Sequence, residues 1–104
     1  MAKFMESRIG ETFEGTLIDI EHDSIWVKLD NNIKGIIAYT EEFSQAFYVD
    51  SYQKELRSTY SKMKVKLGSR VIIKVHEVSI PQKEVYFELM DIVRDTKLVR
   101  KLPQ

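Results

Sequence analysis

The sequence predicts a small all-β protein closed into a barrel. Three observations carry this. Several short segments alternate apolar and polar residues with a period of two, the signature of half-buried strands. Turn-forming clusters separate them at short intervals. Gly15 and Gly35 fall inside two of these segments. A glycine weakens a strand interior, so its presence marks a bend, a bulge or the close approach of another backbone. Strands that must coil to close a small barrel need such points.

The first segment, Thr12 to Ile20, puts Phe13, Gly15 and Leu17 on one face and Thr12, Glu14 and Thr16 on the other. His22-Asp23-Ser24 reads as a turn. Ser24 to Leu29 then alternates, with Ile25, Val27 and Leu29 inward and Trp26 and Lys28 outward. Asp30-Asn31-Asn32 is a strong turn signal, and Ile33 to Tyr39 is a third strand. Three strands joined by short turns predict an antiparallel meander.

Signals conflict between Thr40 and Met63. Thr40 is placed to cap a short helix over Glu41-Glu42-Phe43. Tyr52, Leu56 and Tyr60 recur every four residues, as in a helix. Phe47-Tyr48-Val49 and Ser58-Thr59-Tyr60 are rich in strand formers. After a turn at Leu67-Gly68-Ser69, Arg70 to Ser79 forms a long strand with Val71, Ile73, Val75 and Val78 inward. Pro81-Gln82-Lys83 breaks it. Glu84 to Leu89 alternates again, with Val85, Phe87 and Leu89 inward and Tyr86 and Glu88 outward. Asp91 is placed to cap a short closing helix that Pro103 ends.

This gives five main antiparallel strands with an inserted hairpin or short helix between the third and fourth. The count matches the five-stranded Greek-key barrel of the OB-fold. A chain of 104 residues fits one domain. The barrel is expected over residues 7–90, with a tail or short helix over 91–104.

Composition limits function. With 43% hydrophobic and 31% charged residues, the chain has the make-up of a soluble globular protein. The absence of cysteine excludes disulfides, thiolate catalysis and cysteine-ligated zinc. No apolar run approaches the roughly 20 residues of a membrane span, and Met1-Ala2-Lys3-Phe4 lacks the apolar core of a signal peptide. These features predict a cytoplasmic protein without membrane contact.

Net charge is zero, but its distribution is uneven. From Gly10 to Asp50 nine acids face two lysines, a net of −7; from Lys54 to Lys74 seven bases face one acid, a net of +6. Whether the fold mixes or separates these stretches decides whether a basic footprint exists.

The spacing is specific: Gly10-x-x-Phe13-x-Gly15-x-Leu17-x-x-Ile20, then Ile25-Trp26-Val27-x-Leu29, Gly35-Ile36-Ile37, Leu67-Gly68-x-x-Val71 and Val85-x-Phe87-x-Leu89. This pattern resembles the S1 RNA-binding domain family over roughly residues 7–90. The insertion from Phe47 to the lysine-rich run before Leu67 is long for that family. It is similar to the version at the C-terminal end of ribonuclease R and ribonuclease II type exoribonucleases. That resemblance implies an extra hairpin over residues 46–60. It also implies single-stranded RNA as the partner, held by stacking on exposed rings with little sequence preference. Trp26 stands at an aromatic stacking position of the family. Asp23 stands where another aromatic is frequent, Ser24 where a glycine is, and Ala38 at the usual histidine. Ser79 replaces a frequent acid or asparagine, and Glu84 sits near a frequent arginine.

The candidate RNA-binding residues are therefore Trp26 and Tyr86 for stacking, and Lys28, Lys34, Lys74, Arg70 and Lys64 for phosphates. Lys62, Lys64 and Lys66 alternate with Met63, Val65 and Leu67. They form either a positive rail for a nucleic-acid backbone or a solubilising strand edge. No metal site is expected, because His22 and His76 lack further ligands at a recognised spacing. No cofactor is expected either: the glycines at 10, 15, 35 and 68 form no phosphate-cradling loop. Neither histidine has a nucleophile to serve.

The resulting expectation is a noncatalytic single-stranded RNA-binding module. As a fragment, it would be the substrate-holding domain of a ribonuclease R-like exoribonuclease. The alternative is an OB-fold module that contacts protein, with a ribosomal or RNA-decay partner. Zero net charge and the departures at Asp23, Ala38, Ser79 and Glu84 favour that alternative.

Overall fold

The computed structural model describes Met5 and residues 7–93. Five strands form a closed barrel in the order β1-β2-β3-β8-β7: β1 (Thr12–Ile20), β2 (Ile25–Leu29), β3 (Lys34–Ile37), β7 (Arg70–Ser79) and β8 (Glu84–Val93). Between β3 and β7 lie a helix, α1 (Glu41–Ala46), and a separate three-stranded sheet of β4 (Phe47–Asp50), β5 (Glu55–Ser58) and β6 (Lys64–Lys66).

The alternation read from the sequence is the alternation of burial. Leu17, Ile25, Val27, Leu29, Ile37, Val71, Ile73, Val75, Val85 and Phe87 are buried and fill the barrel. Gly15 and Gly35 lie where neighbouring groups leave no room for a side chain. A Cβ on Gly15 would sit 2.7 Å from Val27 Cγ1, and one on Gly35 would sit 2.5 Å from the Phe87 ring. The extra residue of β1 is at Ile18, where the register with β2 slips between Leu17 and Asp19. Such a bulge bends the strand around the barrel.

Two expectations need correction. The barrel is not wholly antiparallel, since β3 and β8 pair parallel. Five strands in a closed ring cannot all alternate in direction, so one neighbouring pair must run the same way. Asp91 does not cap a helix; it lies within β8, opposite Ile72. The strand runs on past Leu89, where a register shift at Met90 changes the phase so that the partly buried Ile92 packs on the core. The rest of the expected closing helix lies outside the described residues.

The insertion contains both of the structures that the sequence left open. Thr40 caps α1, its hydroxyl accepting from the Phe43 amide at 3.1 Å. β4 and β5 form the hairpin, and the lysine-bearing β6 adds a third strand. Phe43, Leu56 and Val65 are buried and join the barrel core in one cluster. The four-residue spacing of Tyr52, Leu56 and Tyr60 is not helical: Leu56 lies in β5 and both tyrosines are exposed beyond its ends.

Candidate nucleic-acid interface

Strand pairing brings one row of outward side chains around the barrel. Asp19 is opposite Trp26, Trp26 opposite Ile36, Ile36 opposite Tyr86, and Tyr86 opposite Glu77. Trp26, Ile36 and Tyr86 are half-buried, so their rings and methyls form a shallow apolar stripe. The strands carrying the two aromatics are separated by one strand, or about 10 Å. One step along the same face, Thr16, Lys28 and Lys34 form a second row. Lys28 and Lys34 are exposed and make no ion pair among the described residues. Four of the seven residues singled out from the sequence (Trp26, Lys28, Lys34 and Tyr86) therefore share one surface.

The other three do not join it freely. The Arg70 guanidinium donates to Glu14 Oε2 at 2.9 Å, to Thr16 Oγ1 at 2.8 Å, and to both Asp30 oxygens at 3.0 Å. These bonds tie β7 to β1 and to the β2–β3 turn. They hold the guanidinium firmly protonated and push the Asp30 carboxyl below its ordinary range. Lys74 stands on β7 between Thr12 and Glu88, across the ring from β2 and β3. Lys64 belongs to the inserted sheet.

Acids border the stripe. Glu84 accepts a short hydrogen bond from the Tyr86 hydroxyl. That bond, burial and the charges of Glu84 and Glu77 raise the phenol above its ordinary pKa. At the other end, Lys54 from the β4–β5 turn reaches Asp19 Oδ1 at 3.4 Å and Glu21 Oε2 at 2.5 Å. The insertion is thereby tied to the strand position opposite Trp26, and two of the flanking carboxylates share one positive charge.

Two contributors escaped the sequence reading. Tyr39 is 48% exposed, and its hydroxyl donates to the His22 carbonyl at 3.0 Å. This fixes the ring against the β1–β2 turn, where burial and then the charge of Asp23 raise its pKa. Its ring also stacks on Phe43, with centroids 5.4 Å apart. The second is a polar hollow of about 460 Å³ beside Tyr86, lined by Ala38, His76, Ser79 and Gln82. His76 is exposed where β7 and β8 slip register between Val75 and Glu77. Nothing in the sequence marks an isolated aromatic after a strand end, and although Ala38 and Ser79 stand at altered family positions, nothing there places them beside His76.

Barrel order and register define the class: a five-stranded OB-fold barrel. The particular proteins that it resembles agree. No protein-family model matches the chain. It is 24% identical over 106 residues to ribonuclease R 1 of Lactococcus lactis subsp. lactis (strain IL1403), covering 98% of this chain and 13% of that protein. The apo form of Mycoplasma genitalium RNase R superposes with a TM-score of 0.72 at 26% identity, over 84% of this chain and 14% of that one. Mycoplasma genitalium RNase R in complex with ribose methylated single-stranded RNA gives a TM-score of 0.73 at 26% identity, over 86% and 14%. The resemblance to a ribonuclease R-type S1 domain read from the sequence therefore holds in the fold. The chain spans only a small fraction of these relatives, 13% and 14% of their lengths. No helix among the described residues is long and apolar enough to cross a membrane.

Proposed function

We propose that this chain is a noncatalytic module that binds single-stranded RNA, and that it holds substrate for a ribonuclease R-like exoribonuclease. The observation that carries the reading is the register of Trp26, Ile36 and Tyr86 across three strands, with Lys28 and Lys34 uncommitted in the next row. Stacked bases are accepted whatever their identity, because every base has a π-face, and each contributes about 1–3 kcal/mol. The lysines supply the phosphate attraction that makes such binding salt-dependent. The RNA complex of the Mycoplasma genitalium relative supports the choice of ligand. In this reading catalysis belongs to other parts of such an enzyme.

A protein-contact role is the second reading, favoured by zero net charge and by the carboxylates of Glu77 and Glu84 at one end of the stripe. A salt titration of binding to labelled single-stranded RNA separates the two. The RNA reading requires affinity that falls steeply with salt and is lost in Trp26→Ala. Absence of binding at low salt favours protein contact.

A further inference from the structure

The fold pairs the uneven charges of the chain selectively. Lys54 takes Asp19 and Glu21, Arg57 takes Asp50 and Glu55, and Arg70 takes Glu14 and Asp30. Within the basic stretch, Lys62, Lys64, Lys66 and Lys74 have no ion partner among the described residues. Three of these four lie on or just before β6, the edge strand of the inserted sheet. Three of the four unpaired lysines of that stretch therefore gather at this edge.

An aromatic ring accompanies that charge. Tyr48, Arg57 and Lys64 are in register across β4, β5 and β6, while the next row, Val49, Leu56 and Val65, packs inward. Tyr48 is 51% exposed. Together with Ser58, Ser61 and Lys62, the Tyr48–Arg57–Lys64 row lines an open groove of about 430 Å³. Arg57, in the groove wall, is paired with Glu55, a carboxylate only 2% exposed, at 2.8 Å, and with Asp50 at 3.1 Å. A strand edge kept soluble by lysine needs neither the exposed tyrosine in register nor a groove.

The inserted sheet is also continuous with the barrel surface. Lys54, in its β4–β5 turn, binds Asp19, which is in register with Trp26. The β4–β5 turn of the sheet is therefore tied to the strand position opposite the tryptophan.

From these observations we infer that the groove on the β4-β5-β6 face is a second contact site for the same single-stranded RNA. Tyr48 stacks on a base, and Lys62 and Lys64 neutralise phosphates. The inference rests on the RNA-binding reading of the barrel and extends its footprint across the insertion.

The test compares labelled oligouridylates of about four and about fourteen nucleotides, lengths near the two ends of what one OB barrel covers. The proteins are the full chain, Trp26→Ala, Tyr48→Ala and the double variant Lys62→Gln/Lys64→Gln, each checked for folding by circular dichroism. For the longer RNA, the lysine variant is expected to bind about 5- to 20-fold more weakly, with a salt slope shallower by about 1.4, the worth of two phosphates on a single strand. Tyr48→Ala is expected to weaken it about 5-fold or more. Neither change should alter binding of the short RNA, which Trp26→Ala abolishes. Unchanged affinity and slope for the longer RNA, with the Trp26→Ala effect intact, overturn the second site and leave the barrel reading standing. Failure of the full chain to bind either RNA overturns both.

Discussion

Arg70 grips Asp30 with two parallel hydrogen bonds, Nη1 to Oδ1 and Nη2 to Oδ2, each 3.0 Å long. The same guanidinium holds Glu14 and Thr16. One side chain thus joins the start of β7 to β1 and to the turn between β2 and β3. Two-pronged arginine–carboxylate pairs fix geometry as well as charge.

That clamp predicts a pH dependence of stability. Asp30 has a folded-state pKa below its ordinary 3.8, chiefly because of the hydrogen bonds from Arg70. A group with a depressed pKa stabilises the fold above its unfolded value, and that contribution is lost as the pH falls through the folded value. Melting temperatures followed into acid should therefore drop further for the parent chain than for Asp30→Asn, with the two curves converging at the lowest pH. Added salt should shrink the gap at neutral pH, because the pair is exposed.

Gly35→Ala should destabilise the barrel by about 1–3 kcal/mol, the usual cost of forcing a carbon into a packed core. The new Cβ would meet the Phe87 ring at 2.5–2.6 Å and the Val85 carbonyl at 2.7 Å. Phe87 is fully buried, so its ring can give way only by displacing other core side chains. Urea unfolding of the two proteins measures the difference; equal midpoints would show that the ring relaxes without cost.

Glu84→Gln should act on two observables together. The Tyr86 phenol is raised first by its bond to Glu84, then by burial and by the charges of Glu84 and Glu77. Removing the carboxylate charge should bring phenolate formation down towards the ordinary 10.0. Ultraviolet titration, with Tyr86→Phe as the subtraction standard, reads this. The same substitution should tighten RNA binding about 3-fold, the scale of one screened surface charge.

Lys54→Ala should loosen RNA binding although the ammonium group is committed to Asp19 and Glu21. Its loss leaves the carboxylates of Asp19 and Glu21 without their cation near the strand position opposite Trp26 and removes one tie of the β4–β5 turn to the barrel. A reduction of about 3- to 10-fold is expected, two like charges at about 0.2–1 kcal/mol each setting its scale. Lys54→Arg should restore most of the affinity. Labelled-RNA anisotropy at constant salt checks both.

Much of the barrel was legible because each stave has one wet and one dry face. Ile25-Trp26-Val27-Lys28-Leu29 states its orientation in five letters, and the structure buries the three that it should. That alternation also placed Trp26, Lys28, Lys34 and Tyr86 outward. The inserted sheet was less legible because it is small. Its inward positions are few, and Tyr52 and Tyr60 sit in exposed turns at a spacing that imitates a helix. The commitment of Arg70 was hidden because Glu14 and Asp30 lie 56 and 40 residues away in the chain. That at least one pair must run parallel follows from the odd number of strands once closure is known, but closure itself, and the choice of β3–β8, are tertiary properties.

Emission from the lone tryptophan, titrated with single-stranded RNA at low salt, tests the stacking surface most directly. Trp26 should be quenched saturably with micromolar or weaker affinity, and raising the salt should reverse the quenching with a slope of about −0.7 for each phosphate neutralised. A spectrum unmoved by long RNA at low salt would contradict the assignment of this face to nucleic acid.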